Sequence, residues 1–368
     1  MRQLWMMHVS FAVLLSIPCA HGQSILRQEL RIPIHGAGSK GLVAVMVRPN
    51  EAGPHPLAIL THGSPRNAED RPQMSPLAML PQAIEFARRG WTAVVVMRRG
   101  YGDSGGGYVE GYGRCAFPSY EDAGKESAAD LRASIEYLSK LPEVDASKIL
   151  SIGVSAGGFA NVALSTNPPP GLVAAISFAG GRGSLQSDQV CSPEALIKAF
   201  AVFGKKSKIP MLWVYSENDH FFPPQLAGRF YQAFTAAGGK ASFITAPAFG
   251  VDGHFLFSRK GIPVWTSIVD HFLTRQNLSL RGEPLPAPEP PKVDPPVQLS
   301  SFGKEEFREY LLSAPHKAFA VSVGGHYGFS SGKRTEQDAV SKALFNCGQV
   351  AGGDRCSLVM SDDHIHGK

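Results

Sequence analysis

The sequence predicts an α/β fold built on a mostly parallel sheet, with a small α/β accessory domain at its C-terminal end. Three observations predict it. Short, almost wholly apolar runs alternate with helical patterns through residues 23–282; one proline-rich stretch, EPLPAPEPPKVDPPV at 283–297, interrupts the chain; and residues 298–368 carry strand and helix signals of their own. Apolar runs without alternation suit strands covered on both faces, and intervening helices supply that cover.

The N-terminal segment comes first. Arg2 precedes a 14-residue, mostly apolar run from Leu4 to Ile17, then Pro18 and Cys19-Ala20-His21-Gly22. The run is short for a bilayer and has the layout of a secretory signal over 1–22, cut after Gly22. A lipoprotein anchor at Cys19 is the competing reading, opposed by proline at the would-be cut. Glu29–Ile34 and Leu42–Val47 read as a hairpin entering the sheet. Leu57–Leu60, Thr92–Met97, Ile149–Gly153, Val173–Phe178, Met211–Tyr215 and Ala241–Thr245 read as buried strands. Leu131, Ile135 and Leu138 share one helical face after the acidic start Glu121-Asp122. Pro223-Pro224 opens a helix over Leu226–Phe234, and Val264–Leu273 closes the body.

The proline-rich segment is expected to be a stiff extended linker between a body of about 260 residues and a tail of about 70. In the tail, a helix at Lys304–Leu312 leads to a strand at Ala318–Val323 and a turn-rich stretch to Gly332. A helix then runs from Glu336 to Asn346, capped by Thr335 and stopped by Gly348, before a strand at Ser357–Met360. The net charge of +5 is spread along the chain with no basic run, which gives no case for nucleic acid.

The chemistry starts at residues 149–162, ILSIGVSAGGFANV, where a buried strand runs into Gly153-Val154-Ser155-Ala156-Gly157 and then a small-residue helix. Strand, sharp turn and helix lift a serine hydroxyl clear of a sheet as a nucleophile. Gly328-Phe329-Ser330-Ser331-Gly332 matches the same pattern but leads into the polar Lys333-Arg334-Thr335, so Ser330 lacks the context. A serine nucleophile needs a base, an acid to orient it and donors for the oxyanion. After Met211–Tyr215 the chain reads Ser216-Glu217-Asn218-Asp219-His220, and Asp219 is the candidate acid with Glu217 as runner-up. His254, in Gly250-Val251-Asp252-Gly253-His254, is the candidate base, as a mobile imidazole in a glycine-flanked loop; His220, His62 and His271 are its rivals. The oxyanion donors are assigned to the Ala156 N–H, at the start of a helix, and the Ser64 N–H, in Thr61-His62-Gly63-Ser64-Pro65. His62 reads as structural.

On His62-Gly63-Ser64, Arg99-Gly100-Tyr101-Gly102-Asp103-Ser104, Gly153–Gly157, Asp219 and His254, the body resembles the α/β-hydrolase superfamily. Within it, the body looks like the dienelactone-hydrolase-like and prolyl-oligopeptidase-like serine hydrolases. The resemblance covers most of residues 25–275 and implies the α/β-hydrolase fold. Dienelactone hydrolases proper use cysteine as nucleophile, whereas position 155 is serine, so the resemblance favours a general esterase.

Two glycine patterns, Gly36–Gly41 and Gly100–Gly105, fit a dinucleotide fingerprint, but neither opens a helix. Asp362, Asp363, His364 and His366 suggest a metal only weakly against a solvated terminus. With the signal removed, Cys115, Cys191, Cys347 and Cys356 remain. An even number in an exported chain suggests two disulfides, Cys347–Cys356 across a short loop and Cys115–Cys191 by default, although three pairings or free thiols are formally open. Gly105–Ser119 and Gly180–Pro193 should frame the mouth of the site. The expectation is an exported serine hydrolase cleaving a small-molecule ester through an acyl-enzyme, with no metal or organic cofactor and no stable membrane span. A prolyl-oligopeptidase-type peptidase and a catalytically silent binding protein are the alternatives.

Overall fold

The computed structural model of the chain describes residues 24–366. The expected signal segment 1–22, with Cys19, lies outside the described residues. In chain order, β1 (Ile25–Ile32), β2 (Leu42–Pro49) and β3 (His55–Thr61) lead to α1 (Leu80–Arg88), β4 (Thr92–Val96), α2 (Tyr120–Leu138), β5 (Val144–Val154), α3 (Ala156–Leu164) and β6 (Leu172–Phe178). A short hairpin, β7 (Ser184–Gln186) and β8 (Gln189–Val190), precedes α4 (Pro193–Lys206), β9 (Met211–Ser216), α5 (Pro224–Ala236), β10 (Ala241–Ala246) and α6 (Ile262–Arg275). Eight strands form one sheet in the order β1-β2-β4-β3-β5-β6-β9-β10. The first two enter as an antiparallel pair, β2 also runs antiparallel to β4, and from β4 to β10 every neighbouring pair is parallel.

The central strands β3, β4, β6 and β9 are apolar at almost every position because the sheet is covered twice there, whereas the edge strands β1 and β10 carry exposed positions. Leu57 and Ile59, Val94 and Val96, Met211 and Trp213 point into one core with Leu131, Phe159, Phe200 and Phe230 of the helices. Their neighbours Ala58 and Leu60, Ala93 and Val95, Leu212 and Val214 point into the other, with Phe86, Trp265 and Phe272. That alternation is the two-residue period of a strand, read here between two greasy layers. The parallel run places the loops after β3, β5, β9 and β10 at one edge of the sheet, where ligands bind in such folds.

The tail is α7 (Ser301–Leu311), β11 (Ala318–Ser322), β12 (Tyr327–Ser330), α8 (Glu336–Val350), β13 (Cys356–Ser361) and β14 (His364–Ile365). Its four strands pair antiparallel in the order β12-β11-β13-β14. Phe307, Tyr310 and Leu311 of α7 pack on Phe319, Val321 and Met360 on one face, while Ala339, Ala343 and Cys347 of α8 lie on Ala318 and Ala320 on the other. Two expectations are corrected here. The stretch read as turn-rich contains a strand, β12, because pairing with β11 overrides its glycine content. The helix stopped on paper by Gly348 runs on to Val350, since nothing crowds that position and the turn at Gly352 and Gly353, both at positive φ, follows it.

Body and tail touch. Leu285 of the linker exchanges hydrogen bonds with Arg88, its N–H to Arg88 O at 2.8 Å and Arg88 Nε to its own carbonyl at 2.6 Å. Arg334 pairs with Asp103 at 3.1 Å and donates to Pro72 O at 2.9 Å, and Lys260 pairs with Glu306 at 2.7 Å. Ala314 is buried in the body's second core. Among the described residues no helix is long and apolar enough to cross a membrane.

Candidate active site

Ser155 sits between β5 and α3 with φ 56° and ψ −120°, a conformation that non-glycine residues adopt only when their surroundings impose it. The flanking glycines are what permit the turn. A side chain at 157 would lie 2.5 Å from the Thr61 carbonyl and 2.6 Å from that of His62, and one at 153 would run into the Gly157 carbonyl. The helix therefore packs hard against the loop after β3. A side chain at Gly63 would sit 3.0 Å from Ser155 Cβ, so that loop passes directly over the serine. The Ser64 and Ala156 amides make no hydrogen bond among the described residues.

Asp219 lies past the end of β9 and is almost wholly buried. Its Oδ1 accepts the N–H groups of Phe221 at 2.8 Å and Phe222 at 2.9 Å. Those bonds are the ordinary work of an aspartate ahead of a proline-opened helix, and here they also fix the carboxylate's direction. His254 follows β10 in a single 3₁₀ turn, Gly253–Phe255, and its Nδ1 is 3.2 Å from each Asp219 oxygen. A carboxylate only accepts, so the proton belongs on Nδ1 and the Nε2 lone pair is left open. Phe221 stacks on the imidazole at 3.9 Å between centroids and 9° between planes. Asp252 Oδ1 accepts the backbone N–H groups of both His254 (3.0 Å) and His220 (3.1 Å), and the Gly253 N–H donates to Asn218 O at 2.9 Å. The imidazole is thus buried and held by these contacts.

Phe222 links this pair to the serine. Its ring rests against Gly181, lies 5.7 Å from the His254 ring, and Gly181 N–H donates to Ser155 O at 3.1 Å. No hydrogen bond joins Ser155 Oγ to His254 among the described residues, and such bonds commonly tighten only once substrate is bound.

The rivals go elsewhere. Glu217 is exposed, and its backbone N–H pairs with Ala246 O. His220 Nδ1 pairs with Asp188 at 3.0 Å, which raises its pKa. His271 is on α6 beside a groove of about 350 Å³ near the amino-terminal half of β9 and β10, away from the serine. His62 is buried: burial, then the Arg98 guanidinium, lower its pKa to about 3, and it accepts the Arg98 N–H at Nε2 (3.1 Å) while Nδ1 donates to Gly63 O (2.6 Å). Ser330 lies inside β12, opposite Ala318. No group of His, Cys, Asp and Glu among the described residues is arranged to hold a metal ion.

At the rim, the structure joins Cys115 to Cys191 with 5.1 Å between Cα atoms, and Cys347 to Cys356 with 6.1 Å. The first bridge ties together the two segments expected to frame the mouth; the second staples α8 to β13. The sequence reading missed Phe221, Asp252 and three buried charged residues, Arg98, Glu110 and Arg182. Aromatics immediately after the candidate acid were a usable signal for Phe221. Nothing in the linear spacing of the three charges marks them as a group.

Residues 38–201, less than half of the chain, match the family model described as X-Pro dipeptidyl-peptidase (S15 family), a span that includes Ser64 and Ser155 and ends before Asp219 and His254. No curated protein matches. Among solved structures, the acylaminoacyl peptidase of Pyrococcus horikoshii is 18% identical with a TM-score of 0.50, over 72% of this chain and 44% of that one. The chain thus spans less than half of that enzyme's length. A Klebsiella pneumoniae protein assigned as a dienelactone hydrolase is 18% identical, TM-score 0.46, over 67% of this chain and 98% of that one. An esterase of Thermogutta terrifontis is 18% identical, TM-score 0.47, over 69% and 96%. The peptidase likeness agrees with the strand order and the strained serine turn, and the chain has the α/β-hydrolase fold.

Proposed function

We propose that this protein is an exported serine hydrolase that cleaves small carboxylic esters. Ser155 is the nucleophile, His254 the base, Asp219 the acid, and the Ser64 and Ala156 N–H groups are the oxyanion donors. The observation that carries the reading is the His254 Nδ1 facing both Asp219 oxygens at 3.2 Å, at the sheet edge where Ser155 occupies a strained turn. Ser155 Oγ adds to the ester carbonyl carbon as its proton passes to His254 Nε2. The carbonyl π pair becomes an oxyanion facing the two amides. Collapse expels the alcohol, which takes the proton from His254. Water, activated by the same imidazole, then releases the acid from the acyl-enzyme. None of these steps calls on a metal or organic cofactor. The two disulfides support export, since such bonds persist in oxidising compartments.

A second reading is a serine peptidase, favoured by the match of residues 38–201 to the X-Pro dipeptidyl-peptidase family. Hydrolysis of p-nitrophenyl acetate and of an X-Pro anilide by one preparation separates them. Ester turnover lost in Ser155→Ala, with no anilide cleavage, is expected; anilide cleavage at higher kcat/KM would replace the ester reading with the peptidase one.

A further inference from the structure

Behind the loop that carries Ser64 lies an ion cluster with no part in the proposed triad. Arg98, two residues past the end of β4, and Glu110, in the first rim segment, are both fully buried, and Arg182, in the second, is nearly so. Glu110 is the hub. Its Oε1 accepts from Arg98 Nε; its Oε2 accepts from Arg98 Nη2 (3.2 Å), Arg182 Nη2 (2.7 Å) and the Tyr101 hydroxyl (3.0 Å). Although burial alone would raise it, the Arg98 and Arg182 guanidiniums hold this carboxyl well below the usual carboxylate range.

The cluster reaches the site from two sides. Arg98 Nη1 donates to Thr61 Oγ1 (2.5 Å) and to His62 O (2.7 Å), while its backbone N–H holds the His62 ring, which in turn holds Gly63 O. Three consecutive residues ahead of Ser64 are thereby pinned from behind. On the other side Arg182, bonded also to Glu110 O (3.0 Å) and Ser127 Oγ (3.1 Å), directly follows Gly181, whose N–H holds the Ser155 carbonyl. Taking ions out of water is costly, and apolar replacements of such clusters are often as stable or more so. Fold stability alone is therefore a poor reason to build one at this place.

We infer that Arg98, Glu110 and Arg182 are positioning residues that set the Ser64 amide against the Ser155 turn, so that both N–H groups meet the oxyanion at once. The inference rests on the proposed ester hydrolysis. It assigns the cluster to the transition state and leaves substrate binding aside, because a substrate carbonyl gains less from the two donors than the tetrahedral oxyanion does.

The test uses the full chain, p-nitrophenyl acetate, and an alkyl trifluoromethyl ketone, which forms a tetrahedral adduct with a serine nucleophile. Arg182→Met is expected to lower kcat about 10- to 100-fold and raise the ketone Ki by a similar factor, with KM within about 3-fold. Arg182→Lys should recover part of both. Tyr101→Phe removes one bond to Glu110 and keeps every charge and the edge-on contact of its ring with His62, 4.5 Å between centroids; it should move kcat and Ki together by a few-fold, and it decides the matter if Arg182→Met does not fold. Folded variants that keep wild-type kcat and Ki, or that raise KM alone, overturn the inference while ester hydrolysis stands. A wild-type chain that neither turns over the ester nor binds the ketone overturns the functional reading and the inference with it.

Discussion

Ser155 and Ser330 occupy the same five-residue pattern, and their surroundings have nothing in common. Ser155 follows a central parallel strand at positive φ, under the loop after β3, and its carbonyl takes the N–H of Gly181, against which Phe222 rests. Ser330 lies in β12 of a small antiparallel sheet, buried, and its hydroxyl has no hydrogen-bond partner among the described residues. The glycines differ as much. Gly153 and Gly157 let a helix start abruptly against the loop bearing Ser64. In the tail, a side chain at Gly328 would sit 2.6 Å from the Ala343 carbonyl of α8, and one at Gly332 would sit 2.7 Å from Ala78 of the body. The first pair shapes the turn of the proposed nucleophile; the second lets surfaces pack. A motif therefore acquires its chemistry from what the sheet direction brings beside it.

The largest test of that contrast is substitution of the serines themselves. Ser155→Ala and His254→Ala should each lower kcat for p-nitrophenyl acetate by at least about 1,000-fold, while Ser330→Ala stays within about 2-fold of wild type. Steady-state rates on variants with unchanged circular dichroism decide it. Asp219→Asn should cost less, about 100-fold or more, because it misorients the imidazole without removing it. The fold should survive, since an amide oxygen can still accept the Phe221 and Phe222 N–H groups.

The two disulfides sharpen the comparison on stability. Cys115–Cys191 spans 76 positions and Cys347–Cys356 only 9. In the chain-entropy model the first stabilises by about 4 kcal/mol and the second by about 2–3 kcal/mol. Paired Cys→Ser variants, compared by urea denaturation, should show the larger loss and a drop in ester turnover for the rim bridge alone.

Acid should unsettle the mouth before the tail. His62 titrates near 6.5 unfolded and about 3 folded, so the unfolded chain takes up the extra proton as pH falls through that window. Its contribution is full above pH 6.5 and is lost downward; that of Glu110, whose carboxyl is also held low, is lost below about 4.5. Between pH 6.5 and 4.5, His62→Gln should flatten the stability slope by up to about 1.4 kcal/mol per pH unit relative to wild type. Equal slopes would remove His62 as the source.

The smallest effect belongs to the tail. Residues 1–282 should fold and keep kcat/KM for a small ester within about 2-fold, with a modestly lower Tm because Leu285 and Ala314 leave the second core. Failure to fold would show the tail to be part of the body's core.

The sheet was legible because its central strands are apolar on both faces, and the three triad candidates because each lies in a turn or loop just past a strand. The tail was harder to read. Tyr327–Ser330 looks like a turn until β11 pairs with it, and the polar β7–β8 hairpin carries no strand pattern at all. Arg98, Glu110 and Arg182 were illegible for another reason. Their partners are 12 and 72 positions apart, and a lone charge in a sequence reads as solvated until the fold closes water out.

The central claim is that Ser155, and no other serine, is the nucleophile. Treating the full chain with a fluorophosphonate and mapping the adduct by peptide mass spectrometry tests it directly. The expected result is a single adduct on the peptide containing Ser155, absent after Ser155→Ala and much slower after His254→Ala. An adduct on Ser330, or labelling that survives Ser155→Ala, would contradict the assignment.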